Sequence, residues 1–430
     1  MASFPRRGPA LTLVAGLLIR EAFSFWTGHP FDFELWVRLG YGVAHGLDPY
    51  SALPPAPGLS FADDFSQQGG SAVIGYLPFW PFVAAGAYLL YLAVGAGDRF
   101  VYYFLLKQPI ILSDVALAYL MYAFVLKRNP GRAGWALRFW VFSPVAISIS
   151  ALWGMFDSVA MAFVMLALAA RRSPLDGIWS GLATFAKSLP LIFSIPLTLR
   201  DLRRPWSLIL SILLPAASSL AVFALMGWNM GITFSTLSST VTKGGESMSA
   251  WDLLFFLNTY AGLPYPPGWA REIVGSLWVP AVLVATAFAY RRFGFRTDQG
   301  VVQSMLLVSL VFVLVRYQVN EQYSIYLLAL SALDVAVWHW GRRRLLLLIL
   351  ASVMGFMLAN NFLFVRFLAP IYPGWQAFEA GATPFFVALR YSAKLFFALV
   401  FTAANIVYVK RLLGGRRDPG QGAPIDAAPQ

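Results

Sequence analysis

Two carboxylates one residue apart, Asp32 and Glu34, stand in the stretch HPFDFELW (29–36) of a chain that otherwise avoids charge. A carboxylate at the edge of an apolar run can take the proton from a hydroxyl, with its affinity for that proton tuned by partial burial. The residues after it, DFELWVRLGYGVAHG, read as a short amphipathic helix with Leu35, Trp36, Leu39 and Val43 on one face, stopped by Gly46-Leu47-Asp48-Pro49-Tyr50. The plainer alternative is that Asp32 caps that helix as it lies in the membrane interface. Capping alone does not require a second acid two residues on, although acids favour a first helical turn.

Other polar groups occur where a bilayer makes them costly. Asp157, in SPVAISISALWGMFDSVAMAF, sits where Gly154 brings the chain to the mouth of a helix hairpin. It either caps the next helix or lines a cavity there, and it can do both. Lys187, in GLATFAKSLP, lies inside a proline-broken apolar segment, so it either snorkels to the interface or meets an anion. Arg316, in VLVRYQVNEQYSIYLL, ends an apolar run, with Glu321, Gln322 and Tyr323 just across a tight turn. It belongs either to an interfacial belt or to the same cavity. Arg20 either pairs with Glu21 inside the first run or lines the cavity floor, and Lys107 and Asp114 could pair within or between helices in a structural role.

The elements that must hold these groups are membrane helices. Of 430 residues, 59% are hydrophobic and 12% charged, with a mean hydropathy of +0.66, more apolar surface than a soluble domain can bury. The expected class is an all-α polytopic membrane protein. The net charge of +12 arises from basic clusters between apolar runs, the pattern of cytoplasmic loops, and does not point to nucleic acid. There is no cysteine, so thiol chemistry and disulfides are excluded. Three histidines (His29, His45, His339) and no zinc spacing predict no metal, and the lack of a P-loop or dinucleotide fingerprint predicts no nucleotide and no cofactor. The start, MASFPRRGPALTLVAGLLIR, reads as a retained first helix because no small-residue cleavage site follows it.

Apolar runs cover 9–27, 72–95, 101–126, 135–151, 157–170, 177–199, 207–227, 272–290, 299–315, 322–340, 345–366 and 384–409. With Arg6-Arg7, Lys127-Arg128, Arg171-Arg172, Arg203-Arg204, Arg291-Arg292, Arg342 to Arg344 and Lys410-Arg411 all cytoplasmic, runs 72–95 and 177–199 cannot both enter and leave. The economical solution breaks the chain at GYLPFWPF (75–82) and FAKSLPLIFSIP (185–196), each with two prolines. That gives about 10–12 helices, roughly ten of them full spans, with both termini inside. A single membrane domain is expected over 1–413, with outer loops 28–70 and 228–268 and a disordered tail over 414–430. The first outer loop gathers Asp32, Glu34, Asp48, Asp63 and Asp64 on the non-cytoplasmic side.

An acidic pair soon after the first span, followed by Gly46-Leu47-Asp48-Pro49-Tyr50, resembles the GT-C superfamily of membrane glycosyltransferases, in particular the catalytic subunit of GPI mannosyltransferase I and its prokaryotic relatives. RFWVFSPVAISISALWGMFDSVAMAFVMLAL, GLATFAKSLPLIFSIPL and VRYQVNEQYSIYLLAL resemble later segments of that family in the same order, covering most of residues 10–330. Glu34 departs from the family's second Asp, and Ser143 from its Asn before Pro144. The resemblance implies inverting transfer of a hexose, mannose by preference, from a polyprenyl- or dolichyl-phosphate sugar to a lipid-linked glycan or glycolipid. It implies that Asp32 is the base, that Glu34 orients the acceptor or assists Asp32, and that Lys187 and Arg316 hold the donor phosphate. Gln322 and Tyr323 would touch sugar or phosphate, and Asp157 the sugar or acceptor. The expected setting is a cell membrane, or an ER membrane in a eukaryote, with the active site on the non-cytoplasmic face.

Two other classes are compatible with a charged membrane cavity. A transporter or flippase of a lipid-linked sugar or other anion would place its charges near the midplane and open to both sides. A scaffold without catalysis would tolerate loss of the Asp32 charge. The concentration of acids in one outer loop favours the enzyme.

Overall fold

The computed structural model describes residues 7–62, 74–95, 97–171, 173, 175–199, 205–232, 246–264 and 266–414. The expected disordered tail beyond Gly414, Asp63, Asp64 and most of the polar part of loop 228–268 lie outside the described residues, as do Arg6, Arg172, Arg203 and Arg204, while Gly414 itself ends a helix. Regular structure among the described residues is helical and contains no β-sheet, only an isolated bridge between Arg171 and Ser173.

The chain begins with α1 (Arg7–Ser24) and α2 (Asp32–Ala44), followed by α3 (Phe79–Ala93), α4 (Arg99–Leu126) and α5 (Pro130–Val141). Next come α6 (Pro144–Trp153), α7 (Asp157–Ala169), α8 (Leu175–Ala186), α9 (Leu191–Thr198) and α10 (Trp206–Met226). The second half of the chain adds α11 (Asp252–Ala261), α12 (Gly268–Phe293), α13 (Asp298–Val315), α14 (Ser324–Val337) and α15 (Arg343–Asn360). A six-residue α16 (Trp375–Ala380) and the long α17 (Pro384–Gly414) complete it.

Among the described residues six helices can cross a membrane by length and composition: α4, α10, α12, α13, α17 and α15 with the short turn before it. The bent pair α5 and α6, 42° apart, makes a seventh if it counts as one span. The protein is thus an all-α polytopic membrane protein, with fewer unbroken spans than the apolar runs suggest. The reason is proline and polar punctuation. Pro78 ends an irregular stretch and α3 starts only at Phe79, Ser143-Pro144 separates α5 from α6, and Lys187 to Pro190 separates α8 from α9. Backbone groups freed at such breaks must be satisfied by protein or by a wet cavity.

The breaks expected at 75–82 and 185–196 therefore occur, and a third at 142–143 joins them. Burial ranks the spans: 72% of the best window of α13 is buried against 22% for α10, so α13 is central and α10 peripheral. At one end of the bundle Arg128 and Arg171 both reach Asp298, and Arg342 and Arg292 donate to the carbonyls of Arg411 and Leu413 at the end of α17. The link between α1 and α2, the end of α6 and the turn around Phe367 meet at the other end, tied by the Gly28 N–H to the Phe367 carbonyl (2.8 Å).

The amphipathic helix expected after the first run forms as α2. It is covered by protein on more than its apolar face, with ten of its residues, including Glu34 and Arg38, buried. It packs along α3, and Tyr102 of α4 donates to the carbonyl of Val37 (3.2 Å).

Candidate functional site

The position of Asp32 is set from three sides. α2 starts without a side-chain cap from its preceding residue. Instead, Nδ1 of His29 accepts the backbone N–H groups of Phe31 and Asp32, each at 3.3 Å. The capping need is met by the histidine, and the carboxylate of Asp32 turns to Trp153, whose indole N–H donates to Oδ2 at 2.8 Å. One-fifth of the Asp32 side chain remains exposed.

Trp153 arrives there because the last six residues of α6, Ser148–Trp153, form a π-helical turn. Such turns insert an extra residue per turn and re-aim side chains, and they recur at functional sites. Gly154 then turns the chain with φ of +86°, and a Cβ there would lie 2.6 Å from the Phe33 ring. Phe33 is also stacked under the ammonium of Lys107, 4.7 Å from its centroid. Gly154→Ala is expected to cost about 1–3 kcal/mol from the strained backbone alone, and to lower activity further by displacing Trp153 from Asp32. Thermal unfolding in detergent, with an activity assay at a temperature where the variant stays folded, separates the two effects.

The second group lies around the break between α8 and α9. Lys187 is buried, and its Nζ donates to Oδ2 of Asp157 at 2.6 Å. It therefore neither snorkels nor stands alone. Its ammonium lies 5.0 Å from the Phe156 ring, 5.5 Å from Tyr76 and 5.8 Å from Tyr323. Of the three N–H donors of a lysine, Asp157 takes one.

Arg316 ends α13 with its Nε donating to the Gln318 carbonyl at 2.8 Å. Its guanidinium centre lies 5.3 Å from Trp278 and from Phe312, and 5.5 Å from Tyr323. The Tyr323 ring thus faces both cations. Gln322, beside it, is buried with its side-chain oxygen lacking a hydrogen-bond partner among the described residues.

Tyr76 joins the two groups. Its ring packs against Trp36 of α2, which begins with Asp32 (5.6 Å), and against Phe156 beside Asp157 (5.2 Å), and lies 5.5 Å from the Lys187 ammonium. The GLDPY stretch places it: Asp48 accepts the Tyr50 N–H (2.9 Å), and the Tyr50 hydroxyl donates to the Tyr76 carbonyl (2.9 Å).

Asp32, Asp157, Lys187, Arg316 and Tyr323, separated widely in sequence, are therefore brought to one locality. Sequence reasoning did not single out Tyr76, Trp153 or His29. Tyr76 was visible only as part of a proline-broken stretch, and nothing local marks Trp153.

Glu34 and Arg20 sit differently. The carboxylate of Glu34 is fully buried, 2.7 Å from Arg38 Nε, and accepts the Phe61 N–H at 2.9 Å. Burial pushes its carboxyl up from the ordinary value, against these hydrogen bonds and the Arg38 charge. Its visible work is to fasten α2 to the 60–62 segment. Arg20 is buried against Asp114 (Nε to Oδ2, 2.7 Å) and donates to the carbonyls of Gly16 and Val141.

Trp140 and Ser150 also donate to Asp114, at 3.0 and 3.1 Å. The expected pairing of Lys107 with Asp114 does not form. Lys107 instead donates to the carbonyls of Thr27 and Ala151, both at 2.6 Å, because Arg20 already saturates the aspartate. Arg20→Met leaves Asp114 buried without its cation, and a loss of about 3–5 kcal/mol in unfolding stability is the expected result.

No group of three or more metal-binding side chains occurs among the described residues. No family model matches the chain. No curated protein sequence matches it. Among solved structures the chain is similar to ArnT from Cupriavidus metallidurans bound to undecaprenyl phosphate, at 14% sequence identity and a TM-score of 0.46, over 94% of this chain and 76% of that one.

Proposed function

We propose that the protein is a glycosyltransferase of the GT-C type that moves a hexose, mannose by preference, from a polyprenyl- or dolichyl-phosphate donor to a lipid-linked glycan or glycolipid. The observation that carries this reading is Lys187: a buried ammonium with one N–H on Asp157, facing the same tyrosine ring as Arg316. Asp157 takes one of the three N–H donors of Lys187, and the rest of the ammonium, with Arg316 across the same ring, suits an anionic group.

In this reading the donor phosphate lies against Lys187 and Arg316, with Gln322 and Tyr323 at the phosphate or sugar. Asp157 holds Lys187 in place and touches sugar or acceptor. Asp32 takes the proton of the acceptor hydroxyl as its oxygen bonds to the sugar's anomeric carbon. The bond from that carbon to the phosphate oxygen breaks, and the electron pair leaves with the lipid phosphate, whose growing charge the two cations stabilise. Attack from the side opposite the phosphate inverts the configuration. Glu34 acts through α2, whose start carries Asp32, and Arg20 through the helix packing beneath it. No metal is required for a donor that already carries its phosphate on a lipid. The site faces the non-cytoplasmic side, at the end of the bundle away from the basic clusters.

The donor assignment is tested by binding. Polyprenyl monophosphate should compete with the donor, and Arg316→Gln should raise its inhibition constant about tenfold or more, as expected for a lost charge-assisted hydrogen bond of about 1.5–3 kcal/mol. Equal inhibition of wild type and variant would remove Arg316 from the phosphate site. The transporter reading has no comparable support, because the charged groups gather at one end of the bundle.

A further inference from the structure

His29 is occupied in a way the proposed reaction does not yet use. Its Nδ1 accepts two backbone N–H groups, so that nitrogen carries a lone pair and the ring proton belongs on Nε2. The same Nδ1 lies 3.4 Å from Oδ2 of Asp32. A lone pair and a carboxylate oxygen at that separation face each other without a proton between them. The ring is fixed by packing, with its centroid 4.9 Å from Trp153 in a near-parallel stack and 6.0 Å from Phe367. The charged groups that bear on it are Asp32 from the start of α2 and Arg366 from the turn beside Phe367. Burial, with Arg366 adding to it, lowers the histidine to about 3, so it stays neutral at physiological pH.

We propose that His29 is a positioning residue that accepts a hydrogen bond from Asp32 once Asp32 has been protonated, and so stabilises the protonated carboxyl that proton transfer creates. The proposal rests on Asp32 being the base in the reading above. The proton leaves the acceptor hydroxyl, bonds to Oδ2 of Asp32 and points at Nδ1, while the indole N–H of Trp153 remains on the same oxygen. When product departs, the proton passes to water and Asp32 is again a carboxylate. Nothing is oxidised or reduced, and His29 never becomes a cation.

The chain contains only three histidines, so nitrogen NMR of the full-length protein labelled with 15N-histidine resolves His29, assigned by its loss in His29→Gln. The expected result is that Nδ1 carries the signature of an unprotonated nitrogen at neutral pH and moves to a hydrogen-bonded position on acidification, when Asp32 takes up its proton. In Asp32→Asn, whose side-chain amide donates at every pH, the signal should lie at the hydrogen-bonded position throughout. An imidazole that charges near its ordinary value of about 6.5, or a Nδ1 signal indifferent to Asp32→Asn, would overturn the proposal.

Kinetics supply a second arm. His29→Phe keeps the stacking but not the lone pair, and should lower kcat about tenfold, the scale of one hydrogen bond, and move the acid limb of the rate profile. His29→Asn, with an oxygen near the place of Nδ1, should recover most of both. An unmoved acid limb in His29→Phe would leave His29 as packing only. The NMR arm needs no substrate, so it decides the His29 proposal even if no sugar transfer is found. Failure of the glycosyltransferase reading would appear separately, as transfer indifferent to Asp32→Asn.

Discussion

Asp32→Asn is expected to reduce sugar transfer by about 100- to 10,000-fold, the usual worth of a positioned general base, while leaving the protein folded. The fold should survive because α2 takes its cap from the His29 ring and not from the Asp32 carboxylate, and one-fifth of the Asp32 side chain is exposed. Donor binding should change little, since the cations proposed to hold the phosphate lie with Asp157 and Tyr323. Activity at wild-type level in a folded Asp32→Asn variant would remove the base from the mechanism and return Asp32 to a structural role.

The second large effect concerns the buried pair of Asp157 and Lys187. Lys187→Met should unfold the protein or destabilise it by about 3–5 kcal/mol, because Asp157 is then left buried without its partner. Adding Asp157→Asn should restore most of that stability, since two neutral groups replace the pair. It should not restore transfer, because the ammonium proposed to meet the leaving phosphate is still missing. Thermal unfolding separates the single from the double variant, and transfer at a temperature where the double variant is folded tests whether activity stays lost. A stable double variant with wild-type transfer would make the pair purely architectural.

Much of the architecture is legible locally. Prolines at 78, 144 and 190 mark where helices start late or break, and helices begin just after or at these places, while Pro81 and Pro196 are carried inside α3 and α9. The depth of Lys187 is legible too, since a lysine in a proline-broken apolar run needs a partner. Which partner is not. Lys187 meets Asp157, 30 residues away, Asp32 meets Trp153, 121 away, and Arg20 meets Asp114, 94 away.

Such choices depend on how helices pack, and spacing along one helix misleads. Lys107 and Asp114 share α4 and still go to different neighbours. Amphipathicity located α2 but not its covering. Its polar face is covered as well, through the Glu34–Arg38 pair and the backbone of Phe61 and Ala62. The importance of Tyr76 and Trp153 has no local signature, because a tyrosine and a tryptophan are ordinary residues in a membrane chain.

The most direct test of the central claim uses a polyprenyl-phosphate hexose carrying one radiolabel in the sugar and another in the phosphate, incubated with the protein in lipid vesicles. The account predicts that the sugar label moves to a new lipid and the phosphate label appears as free polyprenyl phosphate in equal amount, with both changes lost in Asp32→Asn. Both labels remaining on one intact molecule, carried from one leaflet to the other, would contradict it.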